Sequence, residues 1–123
     1  MSGEVRKGAL AENRMSLRDD VAEACDDLAR LSDFGALAGM AEILRERRRQ
    51  VELGLTAEHD DTHADGRLAA MALDHLTLAF YARSAGASSA DTDTGRLCRA
   101  AALIAAEIDR LNRLAATEAE AAR

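Results

Sequence analysis

The sequence predicts an all-α protein, a small bundle of about four helices. Proline is absent, aromatic residues make up only 2 % of the chain, and hydrophobic residues, many of them alanine or leucine, make up 48 %. This composition favours helix over strand, and apolar residues recur at helical spacing in most of the chain. A length of 123 residues suits one domain. We predict a flexible arm at 1–15, one helical domain at 16–117 and a frayed tail at 118–123.

The first predicted helix opens at Ser16, which precedes Asp19 in an S-x-x-D capping pattern. It ends near Leu31, before Ser32 and Asp33. Its apolar stripe consists of Val21, Cys25, Leu28 and Leu31. Its other side is acidic and carries Asp19, Asp20, Glu23, Asp26 and Asp27. This helix therefore presents a negatively charged face to water.

The second predicted helix runs from about Phe34 or Ala38 to Leu53, with Gly54 as the residue that ends it. Its apolar stripe consists of Leu37, Met40, Ile43, Leu44 and Val51. Its end is basic, with Arg45, Arg47, Arg48 and Arg49. Cations at a helix C-terminus are favoured by the helix dipole, so these arginines need no ligand to explain them.

Two further helices are predicted, one from about Asp65 to Ala82 and one from Asp93 or Thr94 to about Thr117. The polar stretch from Arg83 to Thr94 connects them. The third helix has an apolar set of Leu68, Met71, Ala72, Leu76, Ala79 and Phe80. The fourth carries a heptad seam formed by Leu97, Ala101, Ile104, Ile108, Leu111 and Ala115. Such a seam can pack on the other helices or on a second copy of the chain, and we predict a homodimer.

A dense acidic and histidine-bearing run, Glu58-His59-Asp60-Asp61-Thr62-His63, lies between the second and third predicted helices. We expect it to be a loop at one end of the bundle. Five ionisable side chains within six residues suit a metal site, a proton-transfer site or a polar anchor. The sequence leaves these three uses open.

One interpretation is a hard-metal site for Mg²⁺ or Mn²⁺, which prefer carboxylate oxygens. The ligands would be Asp60 and Asp61 of the loop, joined by Glu46 of the second helix and Glu107 of the fourth. Glu58 and Glu42 are further candidates. The four arginines Arg45, Arg47, Arg48 and Arg49 would then meet the phosphates of a nucleotide. In that case the metal would position an attacking water, as in a nucleoside triphosphate pyrophosphohydrolase.

Two other interpretations involve the histidines. His59 and His63 form an H-x-x-x-H pair that could hold Zn²⁺ with Asp60 or Glu58, although the HExxH pattern of metalloproteases is absent. In the third interpretation the run is structural, and its side chains cap the next helix or bond the arginines of the second helix.

Charge and cysteine content restrict the partners. The net charge of −6 argues against direct nucleic-acid binding and fits a protein that binds a basic surface of a partner.

Cys25 and Cys98 have no CxxC spacing, and we expect two buried, reduced thiols and a cytoplasmic location. No apolar run approaches the roughly 20 residues that span a bilayer, so no membrane association is expected.

One ordered set of residues in the middle of the chain forms a recognisable pattern: Glu46-Arg47-x-Arg49-Gln50, then Gly54, then Glu58-His59-Asp60-Asp61-x-His63, then Gly66-x-Leu68-Ala69. This pattern resembles that of a family of small uncharacterised proteins from phages and prophages. The family pattern ends in a helix like A-A-A-L-x-x-A-E-I-E-R-L-x-R, and Ala100–Arg113 reads similarly here. Leu55 stands where the family has an aromatic residue, Arg67 where it has Glu, and a Trp-rich insertion is missing. The resemblance implies a mobile-element origin but no activity.

These observations lead to two expected functions. The first is a small acidic accessory protein of a phage or mobile element, which binds a host protein or a nucleotide ligand and inhibits host defence. It would do so by covering a basic nucleic-acid channel, as anti-CRISPR proteins do, or by sequestering a nucleotide signal. Its binding residues would come from the acidic run and the arginines, namely Arg45, Arg47, Arg48, Arg49, Glu58, His59, Asp60, Asp61 and His63. The alternative is the metal-dependent pyrophosphohydrolase.

Overall fold

The described residues of the computed structural model, 19–63, 65–87 and 89–123, form five helices and no strand. Within the described residues, helix α1 covers residues 19–33. It is followed by α2 (Ala38–Glu52), α3 (Ala57–Asp61), α4 (Arg67–Ser84) and α5 (Ala90–Ala121). The all-α prediction is confirmed. The predicted arm at 1–15 and the predicted cap at Ser16 lie outside the described residues.

The chain groups into two compact units, one that ends at Gly39 and one that covers Met40–Ala122. In the first unit, α1 ends in a turn at Gly35. The amide of Gly35 donates to the Ser32 carbonyl at 3.0 Å, and that of Ala36 donates to the Leu31 carbonyl at 2.8 Å. Gly35 has a φ of 69°, as this type of helix ending requires. Gly35 therefore ends α1 and lies outside α2, which begins at Ala38.

The second unit is built on α5, a helix of 32 residues. At 1.5 Å per residue it is about 48 Å long. Helix α4 packs along it, and the core between them consists of Leu68, Ala72, Ala100, Leu103 and Ala106. Alanine allows close approach of two helix backbones, so this core is narrow. Of the large apolar side chains in the described residues, only Leu68 and Leu103 are buried.

The helix boundaries correct several predictions. Helix α5 begins at Ala90, earlier than predicted, because the Ser89 hydroxyl accepts a hydrogen bond from the Thr92 amide at 3.2 Å. The residues after Thr117, for which we predicted fraying, are helical as far as Ala121. Gly54 ends α2 with a φ of 104°, as predicted. The loop predicted between the second and third helices contains the short helix α3.

The predicted apolar stripes are only partly buried. In α4, Leu68, Ala72 and Ala79 face the core, whereas Leu76 and Phe80 are exposed. In α5, the predicted heptad seam lies outside the core. Within the described part of the chain, no helix is both long and apolar enough to cross a membrane.

Candidate functional site

The acidic and histidine-bearing run folds into α3 and the turn after it. The Asp60 amide donates to the Thr56 carbonyl at 2.8 Å, and the His63 amide donates to the Asp60 carbonyl at 3.0 Å. The Thr62 hydroxyl closes the helix by donating to the His59 carbonyl at 2.6 Å. Neighbouring residues on a helix point about 100° apart. The side chains of the run are therefore spread over different faces, apart from His59 and His63, which lie next to each other.

Asp60 is the member of the run that faces inward. It is 0 % exposed, and neither of its carboxylate oxygens has a hydrogen-bond partner. The nearest cation is Arg47, whose Nη2 atom lies 3.7 Å from Oδ2 of Asp60. A buried carboxylate is costly unless it is paired, so this arrangement makes Asp60 dependent on Arg47. A fully buried side chain cannot belong to a contact surface, which corrects our expectation that Asp60 binds a partner directly.

Arg47 links three helices through one guanidinium group. Besides its pair with Asp60 of α3, it donates to the Leu55 carbonyl at 3.5 Å and lies 3.5 Å from the Asp109 carboxylate of α5. Its side chain is only 19 % exposed. The cluster of Arg47, Asp60, Asp109 and the Leu55 carbonyl, which we call the Arg47 cluster, thus joins α2, α3 and α5. The interpretation of the run as a polar anchor that bonds the arginines of the second helix agrees with this geometry.

The four carboxylates proposed as Mg²⁺ or Mn²⁺ ligands do not converge, because each lies against a different arginine. Glu46 accepts two hydrogen bonds from Arg49, at 2.8 and 2.6 Å, and Glu107 likewise accepts from Arg110. Asp61 accepts from Arg113 at 2.9 Å, and Asp60 lies beside Arg47. In the described residues, no group of three or more His, Cys, Asp or Glu side chains could hold a metal ion.

Hydrogen bonds from the arginines also set the acidity of two of these groups. The bonds from Arg49 hold the pKa of Glu46 below its usual value, against the opposing effect of burial. The bonds from Arg110 lower the pKa of Glu107 in the same way. Both groups are therefore held as carboxylates by their own helix neighbours.

The predicted phosphate-binding arginines are likewise engaged elsewhere. Arg47 points into the Arg47 cluster, Arg48 pairs with Glu52 at 2.9 Å and Arg49 pairs with Glu46. Arg45 is exposed, and its charge acts on the thiol of Cys98. Arg45, Arg48 and Arg49 share one face of α2 at 100° per residue, whereas Arg47 points away from them towards Asp60. The structure therefore does not bring all four arginines together as a clamp for phosphates.

His59 and His63 do come together. Their Nε2 atoms are 3.1 Å apart, and their rings meet edge to face with centroids 4.8 Å apart. One imidazole donates and the other accepts, so the two rings hold the turn closed. Two nitrogens at this distance are also spaced for a transition metal, but among the described residues no third ligand joins them. The predicted zinc set, with Asp60 or Glu58 as the further ligand, is therefore not assembled among the described residues.

The thiols differ from our expectation. Cys25 is exposed and Cys98 is half-buried, and both are free. Burial raises the pKa of the Cys98 thiol, and the charges of Glu42 and Glu46 raise it further. Cys98 therefore stays protonated and unreactive at neutral pH. The Glu42 and Glu46 charges also indicate that this part of α2 lies close to α5.

Sequence reasoning missed three polar residues near the run. Arg110 and Gln50 are buried, with 7 % and 4 % exposure, and Arg113 donates to Asp61 and to the Ala57 carbonyl. Arg110 and Arg113 line a cavity of about 250 Å³ together with Asp61, Leu114 and Thr117. Sequence spacing could have pointed to the two arginines. Arg110 follows Glu107 by three residues, which places the two side chains next to each other on a helix, and Arg110 and Arg113 both fall outside the heptad seam.

A second cavity, of about 270 Å³, is apolar and lies between α4 and α5. Leu76, Ala79 and Phe80 line it from α4, and Leu97 lines it from α5. The ion pair between Arg83 and Asp93 closes one end, with a hydrogen bond of 2.9 Å from Nε. We call this cavity the apolar groove. Its lining suits an apolar side chain of a partner better than a polar small molecule.

No protein-family model, curated protein or solved structure matches this chain. The resemblance to phage and prophage proteins therefore stays a prediction.

Proposed function

We propose that this protein acts by binding another protein, as a small acidic accessory factor, and not by catalysis. The observation that carries the proposal is the distribution of apolar side chains. In the described residues, the buried hydrophobic positions are mostly alanine, whereas large side chains such as Phe34, Phe80 and Ile108 are exposed by 85, 66 and 52 %. Large apolar surfaces on a small helical protein are typical of interaction sites.

The acidic face of α1 supports a basic partner. Asp19, Asp20, Glu23, Asp26 and Asp27 are all exposed. The net charge of −6 would attract a positively charged surface and speed its association. Together with the resemblance, this favours a host component with a basic surface, such as defence machinery with a nucleic-acid channel, as the target.

The alternative, a metal-dependent nucleotide pyrophosphohydrolase, has less support. It needs several carboxylates around one cation. Glu46, Asp60, Asp61 and Glu107 each lie against a separate arginine instead. A ligand would have to displace several ion pairs before a metal could bind.

Charge reversal on α1 tests the binding function. The full chain would be used as bait in lysate of the host, with the partner identified and its Kd then measured with purified components. We expect Asp26→Lys/Asp27→Lys to weaken binding at least tenfold, more so at low salt. Asp74→Lys/Glu118→Lys changes the net charge equally at exposed positions outside α1 and should bind as the wild type does. Equal weakening by both variants would mean that net charge alone attracts the partner.

Phosphate and pyrophosphate release from a nucleoside triphosphate panel with Mn²⁺ tests the alternative. We expect no release above the protein-free rate. Turnover by the wild type that disappears in Asp60→Asn, with helical content unchanged, would establish the enzyme and overturn the proposed function.

A further inference from the structure

The heptad seam of α5 forms an exposed apolar stripe. Leu97, Ile104, Ile108 and Leu111 are exposed by 50, 43, 52 and 47 %, although their spacing is that of residues that pack between helices. No charged residue interrupts the six seam positions, Leu97, Ala101, Ile104, Ile108, Leu111 and Ala115. The seam therefore has the composition of a helix interface but no counterpart within the unit Met40–Ala122.

Two other faces of α5 already contact neighbouring helices. On one side, Ala100, Leu103 and Ala106 pack against α4. On another side, Asp109 meets Arg47 of α2. At 100° per residue, the centre of the seam lies about 120° around the helix from Leu103, which is in the middle of the face that packs on α4. Within the unit Met40–Ala122, α2 and α4 thus contact other faces of α5, and the seam is left without a neighbouring helix.

The apolar groove extends this open face onto α4. Leu97, the first seam residue, lines the groove together with Leu76 and Phe80. Leu76 and Phe80 are exposed by 38 and 66 %. The seam and the groove therefore form one apolar surface, bordered at one end by the Arg83–Asp93 ion pair.

We propose that a second copy of this chain covers the seam, so that two α5 helices pack against each other about a two-fold axis. This inference rests on the proposed function, which interprets the exposed apolar side chains as binding surfaces, and it assigns one of these surfaces, the seam, to a second copy of the chain. A seam with a 3.5-residue repeat is complementary to a helix with the same repeat, and a second α5 supplies one. A two-fold interface uses the same patch on both partners, which suits a seam without charges that would repel their own copy.

The composition of the seam fits this occupant. Ala101 and Ala115 flank the larger Ile104, Ile108 and Leu111, and their small side chains would let the two helix backbones approach closely. A stable interface covers roughly 800 Å² on each partner. The groove wall at Leu76 and Phe80 adjoins the seam at Leu97 and widens its apolar surface, so we include the groove in the dimer interface.

The oligomeric state of the full chain tests the proposal, measured by light scattering after size exclusion and by sedimentation. We expect a mass of twice 13.1 kDa for the wild type. Ile104→Glu/Ile108→Glu should give a 13.1 kDa species with unchanged helical content. Leu53→Glu/Leu78→Glu makes the same change at positions that are 68 and 54 % exposed but off the seam, and it should stay dimeric. A monomeric wild type, or a seam variant that remains dimeric, would overturn the proposal.

Binding to the host partner separates this inference from the proposed function. A monomeric seam variant that still binds the partner supports both ideas, because it places the dimer contact and the partner contact on different surfaces. If the wild type is monomeric and the seam variant no longer binds the host partner, the seam is the surface that contacts that partner. That result would overturn the dimer and leave the binding function intact.

Discussion

The α4–α5 pair and the Arg47 cluster hold the second unit together by different means. Between α4 and α5 the contact is apolar and dominated by alanine, with Leu68 and Leu103 as its large side chains. In the Arg47 cluster, α2 and α3 are held to α5 by polar contacts of Arg47 with Asp60 and Asp109, and Arg113 of α5 adds a second ion pair to Asp61 of α3. The stability of the α4–α5 contact should depend on side-chain volume and not on salt or charge. The stability of the Arg47 cluster should depend on charge and less on side-chain volume. Large apolar side chains that neither contact needs remain on the surface.

Loss of the Arg47 guanidinium is the change with the largest expected effect. Arg47→Ala leaves the buried carboxylate of Asp60 without a cation, and breaking such a pair costs about 3–5 kcal/mol. We expect urea unfolding to show a loss in that range. Arg48→Ala breaks an exposed pair with Glu52, 80 and 62 % exposed, and should cost at most about 0.5 kcal/mol.

A second substitution sharpens this prediction. Asp60→Asn removes the buried charge, so Arg47→Ala/Asp60→Asn should recover most of the stability that Arg47→Ala loses. If the double variant is as unstable as Arg47→Ala alone, the apolar stem of Arg47, and not its charge, holds α2 in place.

Truncation of Leu103 tests the apolar contact. Leu103 is 3 % exposed, and Leu103→Ala should cost about 2–4 kcal/mol because it removes one of two large core side chains and leaves a cavity. Raising the salt concentration should not change this loss, whereas it should weaken the exposed ion pairs. Leu53→Ala, at a position 68 % exposed, serves as the control and should change stability by less than about 0.5 kcal/mol.

The cap of α5 should have a smaller effect. Ser89→Ala removes the hydroxyl that accepts from the Thr92 amide and should cost about 1 kcal/mol. Ser89→Asp keeps an acceptor at the same place and should restore the thermal midpoint. Equal losses in both variants would show that the hydroxyl does not cap the helix.

The smallest effect is expected from pH. The folded pKa of Glu107 lies below its unfolded value of about 4.5, because Arg110 bonds the carboxylate. The unfolded chain therefore takes up the proton first as the pH falls, so stability is lost below about pH 4.5 and is fully present above it. Glu107→Gln should flatten this part of a stability-versus-pH curve. An unchanged slope in that variant would contradict the assignment.

Local patterns predicted much of the fold but little of the site. The helix ending at Gly54 and the positions of α2 and α4 follow from spacing and turn residues. The burial of Asp60 could not be predicted, because an aspartate in a polar run normally faces water and its inward position depends on Arg47, 13 residues earlier. The seam was recognisable from its period, but period alone does not tell whether a helix packs within its own chain or against another. The proposed carboxylate site failed because each acid has an arginine at helical spacing or on a neighbouring helix.

Helix α5 is the common support of the second unit, since α2, α3 and α4 all contact it. This geometry sets an order of local opening. Amide hydrogen exchange should be slowest around Ala102–Ala106, where two faces of α5 are covered, and faster in α3, whose five residues can detach by breaking few contacts. The acidic and histidine-bearing run would then be the part of the unit that opens first and exposes Asp60 to solvent while the rest of the molecule stays folded.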